Sequence, residues 1–325
     1  MTTRVAEGPW FDELEVGQVF DQAPAMTLAE GRAAAHQAIL GDRLRLPLDD
    51  ALARAVTGAP LAHPAYVWNV AIGQSTLATQ HVKANLFYRD LALLRQPAIG
   101  DTLRTVTSVV GLRENSRREG RAPTGLAALH MRTEDQRGRA VLDFYRCAML
   151  PLRGQAATGH ADDLGAIGSG GSGGSGDVGG SVADWDLGPL RQAYGDPGAP
   201  QEGEVVVVHG GDVVTSAPEL ARLTLNIAAV HHDERAGGGR RLVYGGHTIG
   251  LALAQVARAL PGLVTVLAWE GCNHTGPVYE GDTLRSRITV GAVRGGPVGR
   301  LVDLRVETAA DDDRGVLDWR FTALF

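Results

Sequence analysis

Two segments of the chain would be apolar on almost every side if they formed helices. They cover residues 65–80 and 247–260, and in the second segment apolar residues recur at helical spacing at Ile249, Leu253, Val256 and Leu260. The other positions of that segment are largely alanine, leucine or glycine. A helix without a polar face is expected to be buried. The pattern therefore predicts one long buried helix in each half of the chain.

Each predicted helix is followed by β-rich runs separated by turn residues. The predicted strands are residues 103–110, 126–132 and 141–150 in the first half and 284–290, 300–307 and 315–324 in the second. A long buried helix wrapped by an antiparallel sheet is the hotdog arrangement. The predicted fold class is therefore α+β, a double hotdog made of two tandem hotdog domains.

The two halves are related by a constant offset of 181 residues. The string GDTLR at residues 100–104 recurs at residues 281–285. The same offset, without a gap, pairs further identical residues: Leu61 with Leu242, Ala71 with Ala252, Gln74 with Gln255, Ala78 with Ala259, Leu86 with Leu267 and Arg113 with Arg294. This agreement favours an internal duplication over chance. Two copies are too few for a solenoid, so a pseudo-dimer of two packed domains is predicted.

A stretch rich in glycine and serine separates the halves. Residues 165–180 contain nine glycines and three serines around the core GSGGSGGSG. Such a segment cannot bury enough apolar surface to offset the entropy of ordering it, which predicts a flexible linker. The predicted organisation is an N-terminal hotdog domain at 1–153, a linker at 154–184 and a C-terminal hotdog domain at 185–325.

Composition and charge narrow the classes of function. The net charge of the 325 residues is −6 and there is no basic block, which argues against nucleic-acid binding, since neutralising phosphates needs clustered positive charge. No apolar run reaches the ~18 residues of a membrane helix, and no secretory signal is visible. We expect a cytoplasmic protein without a membrane partner. Cys147 and Cys272 are too few for a disulfide framework or a four-cysteine zinc site, and both are predicted to be buried.

The richest cluster of candidate catalytic residues lies just ahead of the second helix. The string LTLNIAAVHHD at residues 223–233 contains Asn226, His231, His232 and Asp233. A histidine with a polar orienting neighbour is the usual equipment for general acid–base catalysis near neutral pH. The same polar string before a glycine-rich turn would also suit a solvated surface loop, and spacing alone leaves both interpretations open.

Gly245 and Gly246, at the predicted N-terminus of the second helix, are candidate substrate-binding residues. Glycines there allow close approach to backbone N–H groups, and the helix dipole favours negative charge. Such an N–H could polarise a thioester carbonyl in an oxyanion-hole role, or the pair could simply form a tight turn. His247 and His274 are further candidates. His274 lies in the predicted loop GCNHTGP and has Leu93 as its counterpart in the first half.

On these residues the chain resembles the MaoC-like acyl-CoA dehydratase/hydratase family, called hydratase 2. The fingerprint of that family is Asp-x-Asn-Pro-x-His ahead of the hotdog helix, where the Asp and His activate the water added to an enoyl-CoA double bond. The resemblance puts His231 at the His position and Asn226 at the Asp position. An amide cannot take up a proton, so Asn226 could orient water but not act as the base. His231 would then carry the proton alone or with Asp233.

The corresponding stretch of the first half, residues 41–47, keeps the Asp as Asp42 but has Pro47 at the His position. The resemblance therefore implies one catalytic site per chain, with the N-terminal half shaping the tunnel for the CoA chain. It implies an acyl-CoA thioester as substrate, with no cofactor besides the CoA of the substrate. No metal is expected, because the histidines lack a recognisable ligand set. A homo-oligomer is possible but not required.

A narrower resemblance is to the β-methylmalyl-CoA dehydratase (mesaconyl-CoA hydratase) branch, which tolerates Asn in place of the Asp. It rests on the strings NIAAVHHD, RRLVYGGH, NHTGPVYEGDT and GLRENS, whereas residues 61–76 do not match. It implies reversible hydration of a 2-enoyl-CoA with a short branched dicarboxylic acyl group such as mesaconyl. An arginine would pair with the second carboxylate, and the candidates are Arg43, Arg45, Arg240 and Arg241.

Two other functions stay open at this point. Hotdog proteins also hydrolyse acyl-CoA, so a thioesterase that releases free thiol is one alternative. A non-catalytic acyl-CoA-binding protein is the other, because one half lacks the family's Asp and the other lacks its His.

Overall fold

The computed structural model describes residue 3 and residues 5–168 and 178–325. Its helices are α1 (Glu30–Leu40), α2 (Arg45–Leu48), α3 (Asp50–Thr57), α4 (Pro64–Gln74), α5 (Gly188–Tyr194), α6 (Ala217–Leu223) and α7 (Gly245–Ala259). Its strands are β1 (Val19–Phe20), β2 (Met26–Thr27), β3 (Ala84–Leu93), β4 (Thr102–Glu114), β5 (Thr124–Glu134), β6 (Ala140–Pro151), β7 (Val205–Val207), β8 (Asp212–Val213), β9 (Thr265–His274), β10 (Thr283–Gly295), β11 (Arg300–Ala309) and β12 (Gly315–Leu324).

The strands of the described residues form one twelve-stranded sheet. Its main path runs β1-β4-β5-β6-β3-β9-β12-β11-β10-β7, while β2 pairs with β4 and β8 with β10. The order β4-β5-β6-β3 of the first half is mirrored by β10-β11-β12-β9 of the second. Strands β3 and β9 pair antiparallel at the centre and join the two halves. The sheet therefore places the inner surfaces of both halves side by side.

The duplication predicted from the sequence is visible in the coordinates. Helices α4 and α7 begin at residues 64 and 245, β3 and β9 at 84 and 265, and β4 and β10 at 102 and 283, so each pair is 181 residues apart. The Nε2 atom of Gln74 donates to the Leu103 carbonyl at 3.0 Å, and Gln255 repeats this bond to Leu284 at 2.8 Å. Each half thus has a long helix against an antiparallel sheet, which confirms the predicted double hotdog.

Helix α4 is buried along its whole length and packs against α7. It begins where predicted because His63 caps its N-terminus, accepting a hydrogen bond from the Ala65 N–H at Nδ1, with proline at the first helical position. It ends earlier than the apolar pattern predicts, at Gln74. The Ser75 and Thr76 hydroxyls donate to main-chain carbonyls three residues back and a 3₁₀ turn (Ser75–Ala78) follows.

The two central strands, β3 and β9, are not among the predicted elements. Both carry polar residues that interrupt the apolar alternation expected of a strand, and in β3 Asp90 has a positive φ of 53° beside a register shift. His274, predicted to lie in a loop, is the last residue of β9. That expectation is therefore wrong, and the strand fixes the position of the His274 backbone.

The flanks of the predicted linker pack against the domains. The Arg89 guanidinium donates to the Gly165 and Ile167 carbonyls at 3.1 and 2.9 Å, and Leu164 is buried. On the other flank, Val182 is fully buried. The core of the predicted linker, residues 169–177, lies outside the described residues. No helix in the described part of the chain is long and apolar enough to cross a bilayer. Both cysteines are buried, as predicted.

Candidate active site

A cavity of about 290 Å³ lies where the two halves meet. The N-terminal half contributes Thr79, Tyr88 and Arg146 to its wall, and the C-terminal half contributes Asn226, His231 and His274. Three of its lining residues, Lys83, Thr275 and Pro277, are exposed and so mark its mouth. With Gly245, which also lines it, the cavity contains four of the site residues predicted from the sequence, together with residues of the N-terminal half.

His231 is held in one tautomer by the main chain. It ends a short 3₁₀ turn (Ala229–His231), is 8% exposed, and has its Nδ1 atom 2.8 Å from the Leu242 carbonyl oxygen. A carbonyl can only accept a hydrogen bond, so the ring proton sits on Nδ1 and Nε2 keeps its lone pair. Burial lowers the pKa of His231 to about 4, against the opposing effect of the Leu242 bond. The ring is therefore neutral at neutral pH.

The segment that carries Asn226 and His231 is docked on the N-terminal half. The Ile227 N–H donates to the Thr76 hydroxyl at 3.1 Å, and the Ala229 N–H donates to the Gln80 carbonyl at 3.0 Å. The segment also comes so close to α4 that a Cβ on Gly73 would lie 1.7 Å from the Thr224 carbonyl oxygen. The first half thus positions the candidate catalytic residues of the second.

Asn226 follows a strained residue and has a fixed side chain. Leu225, before it, has a positive φ of 62°, a conformation that costs a non-glycine residue free energy. The Asn226 Oδ1 atom accepts a hydrogen bond from the Ala228 N–H at 3.0 Å. No described residue accepts from its Nδ2, so an amide donor is left for a ligand in the cavity that Asn226 lines.

Gly245 and His274 form the side of the cavity at the N-terminus of α7. The Gly245 N–H opens the helix and makes no hydrogen bond to a described residue. A Cβ at Gly245 would lie 2.6 Å from the His274 Nε2 atom, so only glycine fits beside that ring. The His274 Nε2 is buried, and nothing in the described chain hydrogen-bonds to it. Burial, and then the nearby His231, lower the pKa of His274 to about 4.

The other predicted site residues lie away from the cavity. A Cβ on Gly246 would meet the Asn69 Oδ1 at 2.0 Å, so this glycine serves the close contact between α7 and α4. His247 is fully buried in the core. Asp233 is exposed, and its carboxylate caps a turn by accepting from the Arg235 N–H at 2.9 Å. The expected partnership of Asp233 with His231 is therefore corrected: the Leu242 carbonyl takes that place.

None of the four arginines proposed for a substrate carboxylate lines the cavity. Arg45 stacks on the ring of Tyr194, and Arg240 stacks on the ring of Tyr279. Arg241 forms an ion pair with Glu280, and Arg43 is exposed. Arg146, on β6, lines the cavity instead and is 4% exposed. The sequence contains a signal for this position: residues 144, 146 and 148 lie on one face of the predicted strand, and Phe144 and Ala148 mark that face as buried.

In the first half, the stretch that corresponds to the His231 segment contains Asp42, which pairs with His63. Asp42, which matches the family's Asp, has its Oδ2 2.7 Å from the Nε2 of His63, the residue that caps α4. Burial alone would raise the pKa of Asp42, but His63 and backbone N–H groups hold it below its usual value. Neither residue lines the cavity described above. Nowhere in the described ranges do three His, Cys, Asp or Glu side chains group as a metal site.

Known proteins resemble the chain over nearly its full length. It is 32% identical to the mesaconyl-CoA hydratase of Cereibacter sphaeroides over 86% of the chain and 82% of that enzyme. It is 28% identical to the β-methylmalyl-CoA dehydratase of Chloroflexus aurantiacus over 99% of the chain and 93% of that enzyme. No family model matches the sequence.

Solved structures share the fold. A conserved hypothetical protein of Mycobacterium tuberculosis, described as a double hotdog, superposes with a TM-score of 0.92 and 55% identity over 98% of both chains. A Chloroflexus aurantiacus protein assigned as a MaoC domain dehydratase superposes with a TM-score of 0.83 and 25% identity over 100% of this chain and 99% of that one.

Proposed function

The chain belongs to the MaoC-like acyl-CoA hydratase and dehydratase family, whose members are hydro-lyases, and on that premise we propose that its cavity adds water reversibly to a 2-enoyl-CoA. The observation that carries the proposal is the pairing of a neutral His231, whose Nε2 has no described partner, with the free N–H of Gly245 on the same cavity. The first is a base for water and the second a donor for a thioester oxygen.

In the proposed hydration, His231 moves the proton. Its Nε2 takes a proton from water as the water oxygen bonds to C3 of the enoyl group, and the electrons of the double bond shift towards the thioester oxygen. The Gly245 N–H, at a helix N-terminus, stabilises the negative charge on that oxygen. The imidazolium then returns its proton to C2. The product is a 3-hydroxyacyl-CoA, and the reverse sequence is dehydration.

Asn226 supports the water in this scheme without exchanging protons. Its Oδ1 is engaged by the Ala228 N–H, so the Nδ2 donor is the group available to hold the water oxygen near His231. The family's carboxylate is absent at this position, so the scheme gives the role of base to His231, whose Nδ1 bond to Leu242 leaves Nε2 as the accepting atom. His274 lies against Gly245, which suits it to contact the thioester end of the substrate.

Mesaconyl-CoA is the substrate we propose to test first. The names of the two curated relatives, a mesaconyl-CoA hydratase and a β-methylmalyl-CoA dehydratase, support a short branched dicarboxylic acyl group. Lys83 is exposed on the rim of the cavity mouth, and its positive charge suits the phosphates of CoA.

An absorbance assay at the enoyl-thioester band tests the proposal. The purified protein is mixed with mesaconyl-CoA or crotonyl-CoA, and free thiol is followed in parallel with a thiol reagent. The proposal expects absorbance to fall without thiol release. Thiol release would identify a thioesterase, and binding of these esters without any turnover would identify a non-catalytic acyl-CoA-binding protein.

A further inference from the structure

Arg146 is a buried cation inside the cavity. It lies on β6 directly opposite Tyr88 of β3, is 4% exposed, and points to the inner face of the sheet. Lys83, by contrast, is exposed at the mouth. A ligand that enters past Lys83 therefore meets the Arg146 guanidinium inside the protein rather than at its surface.

The described residues that contact this guanidinium are neutral. Its Nη2 donates to the Thr79 hydroxyl, while its Nε is buried without a hydrogen-bond partner. Burial raises the pKa of the neighbouring Tyr88, which keeps that phenol neutral. No carboxylate among residues 5–168 and 178–325 lies within 4.0 Å of Arg146. Burying a cation without an anion is costly, so a site of this kind favours an anionic ligand.

The guanidinium shares the cavity with the candidate base. Arg146 and His231 both line the cavity, and the positive charge of Arg146 is among the influences that lower the pKa of His231. The Thr79 that holds Arg146 is next to Gln80, whose carbonyl holds the His231 segment through Ala229. An acyl chain whose double bond is next to His231 therefore occupies the same cavity as the guanidinium of Arg146.

We propose that Arg146, held by Thr79 and Tyr88, binds a carboxylate at the distal end of the acyl chain and so selects dicarboxylic acyl-CoA esters. This inference rests on the proposed function for the identity of the ligand. The planar guanidinium matches a carboxylate with two parallel hydrogen bonds, which a lysine could not reproduce. The bound carboxylate also neutralises Arg146, so His231 becomes a stronger base when the correct substrate is present.

Binding of saturated analogues tests the assignment independently of turnover. Methylsuccinyl-CoA carries the distal carboxylate and butyryl-CoA lacks it, and neither has a double bond to hydrate. By titration calorimetry, we expect the wild-type protein to bind methylsuccinyl-CoA at least tenfold more tightly. Arg146→Met should weaken methylsuccinyl-CoA binding about 10²-fold, as expected for hydrogen bonds to a charged group, and butyryl-CoA binding by less than about threefold. Arg146→Lys should restore only part of the loss.

Two further variants keep the test decisive. Arg132→Met removes an exposed arginine of β5 and should leave both affinities unchanged. Thr79→Val removes only the hydroxyl that holds the guanidinium and should weaken methylsuccinyl-CoA binding about fivefold, the worth of one hydrogen bond. If Arg146→Met fails to fold, the role of Arg146 is tested by the preference of the wild-type protein for methylsuccinyl-CoA over butyryl-CoA and by the effect of Thr79→Val on that preference.

The outcomes separate this inference from the proposed function. Equal wild-type affinity for the two analogues, or equal losses for both in Arg146→Met, would overturn the role of Arg146 even if enoyl-CoA hydration is observed. A carboxylate preference that depends on Arg146, found in a protein that hydrates neither enoyl-CoA, would support the carboxylate site and refute the proposed hydratase reaction.

Discussion

The Nδ1 atom of His231 lies 2.8 Å from the carbonyl oxygen of Leu242. This bond does for His231 what a carboxylate does in many acid–base sites: it fixes the tautomer and orients the ring. Because the acceptor is an uncharged carbonyl, it stabilises the imidazolium less than a carboxylate would. The buried ring therefore stays neutral, and its Nε2 lone pair is free in the cavity.

This arrangement predicts the protonation state of His231 directly. Histidine-selective ¹⁵N NMR of the free protein should show a neutral ring with the proton on Nδ1 from pH 8 down to about pH 5. Protonation should begin only near the lowered pKa of about 4. Protonation of His231 already at pH 6 would contradict the buried neutral base.

Gly245 is predicted to tolerate no side chain. In Gly245→Ala the new Cβ would lie 2.6 Å from the His274 Nε2, so the ring or the helix end must move. Misplacement of this size next to the reacting groups should lower kcat/KM by on the order of 10²-fold. The matched control is Gly31→Ala in α1, where nothing lies within 4 Å of the new Cβ. That control should keep full activity, and similar kinetics in both variants would refute the role of Gly245.

Buried neutral histidines predict a loss of stability in mild acid. His231, His247 and His274 each have a pKa of about 4 in the folded protein, against about 6.5 when unfolded. Between these values the unfolded chain binds protons that the folded chain does not. The free energy of unfolding therefore falls as pH drops from about 6.5 towards 4, and is unaffected by these groups above 6.5.

His247 offers the clearest test of that pH effect, because neither of its ring nitrogens has a hydrogen-bond partner in the described chain. When the pH is lowered from 7.5 to 5, the free energy of unfolding measured with urea should fall by about 2 kcal/mol less in His247→Leu than in the wild type. His209→Gln, at an exposed position, should behave like the wild type. An unchanged pH dependence in His247→Leu would show that His247 is not neutral and buried as described.

The fold and part of the candidate site can be predicted from the sequence. The offset of 181 residues and the two apolar helices predicted the duplicated architecture, because burial on all sides leaves a strong local pattern. A polar string and a glycine pair ahead of the second predicted helix make His231, Asn226 and Gly245 candidates, and the resemblance to the MaoC-like family assigns positions in its motif to His231 and Asn226. The position of His231 on the cavity follows from its place in the segment docked on α4.

The roles of other residues could not be predicted from the sequence, because they depend on contacts between separate elements. The strand pattern can place Arg146 on the inward face of β6, but its role depends on Thr79 and Tyr88, which lie on other elements. Gly246 and Gly245 are equivalent in sequence, yet one faces α4 and the other the cavity. Asp233 is two residues from His231, but the 3₁₀ turn directs it to solvent. Spacing along the chain does not determine which face of a turn a side chain takes.

The proposed role of His231 is that of the base that adds water to an enoyl-CoA. Its most direct test is the rate of absorbance loss at the enoyl-thioester band with mesaconyl-CoA, measured for the wild type, His231→Gln and the control His209→Gln. We predict that His231→Gln lowers kcat by at least ~10²-fold, the usual contribution of a general acid–base, in a protein that is still folded at the assay temperature, while His209→Gln stays within twofold of the wild type. A folded His231→Gln protein that hydrates mesaconyl-CoA at the wild-type rate would contradict the account.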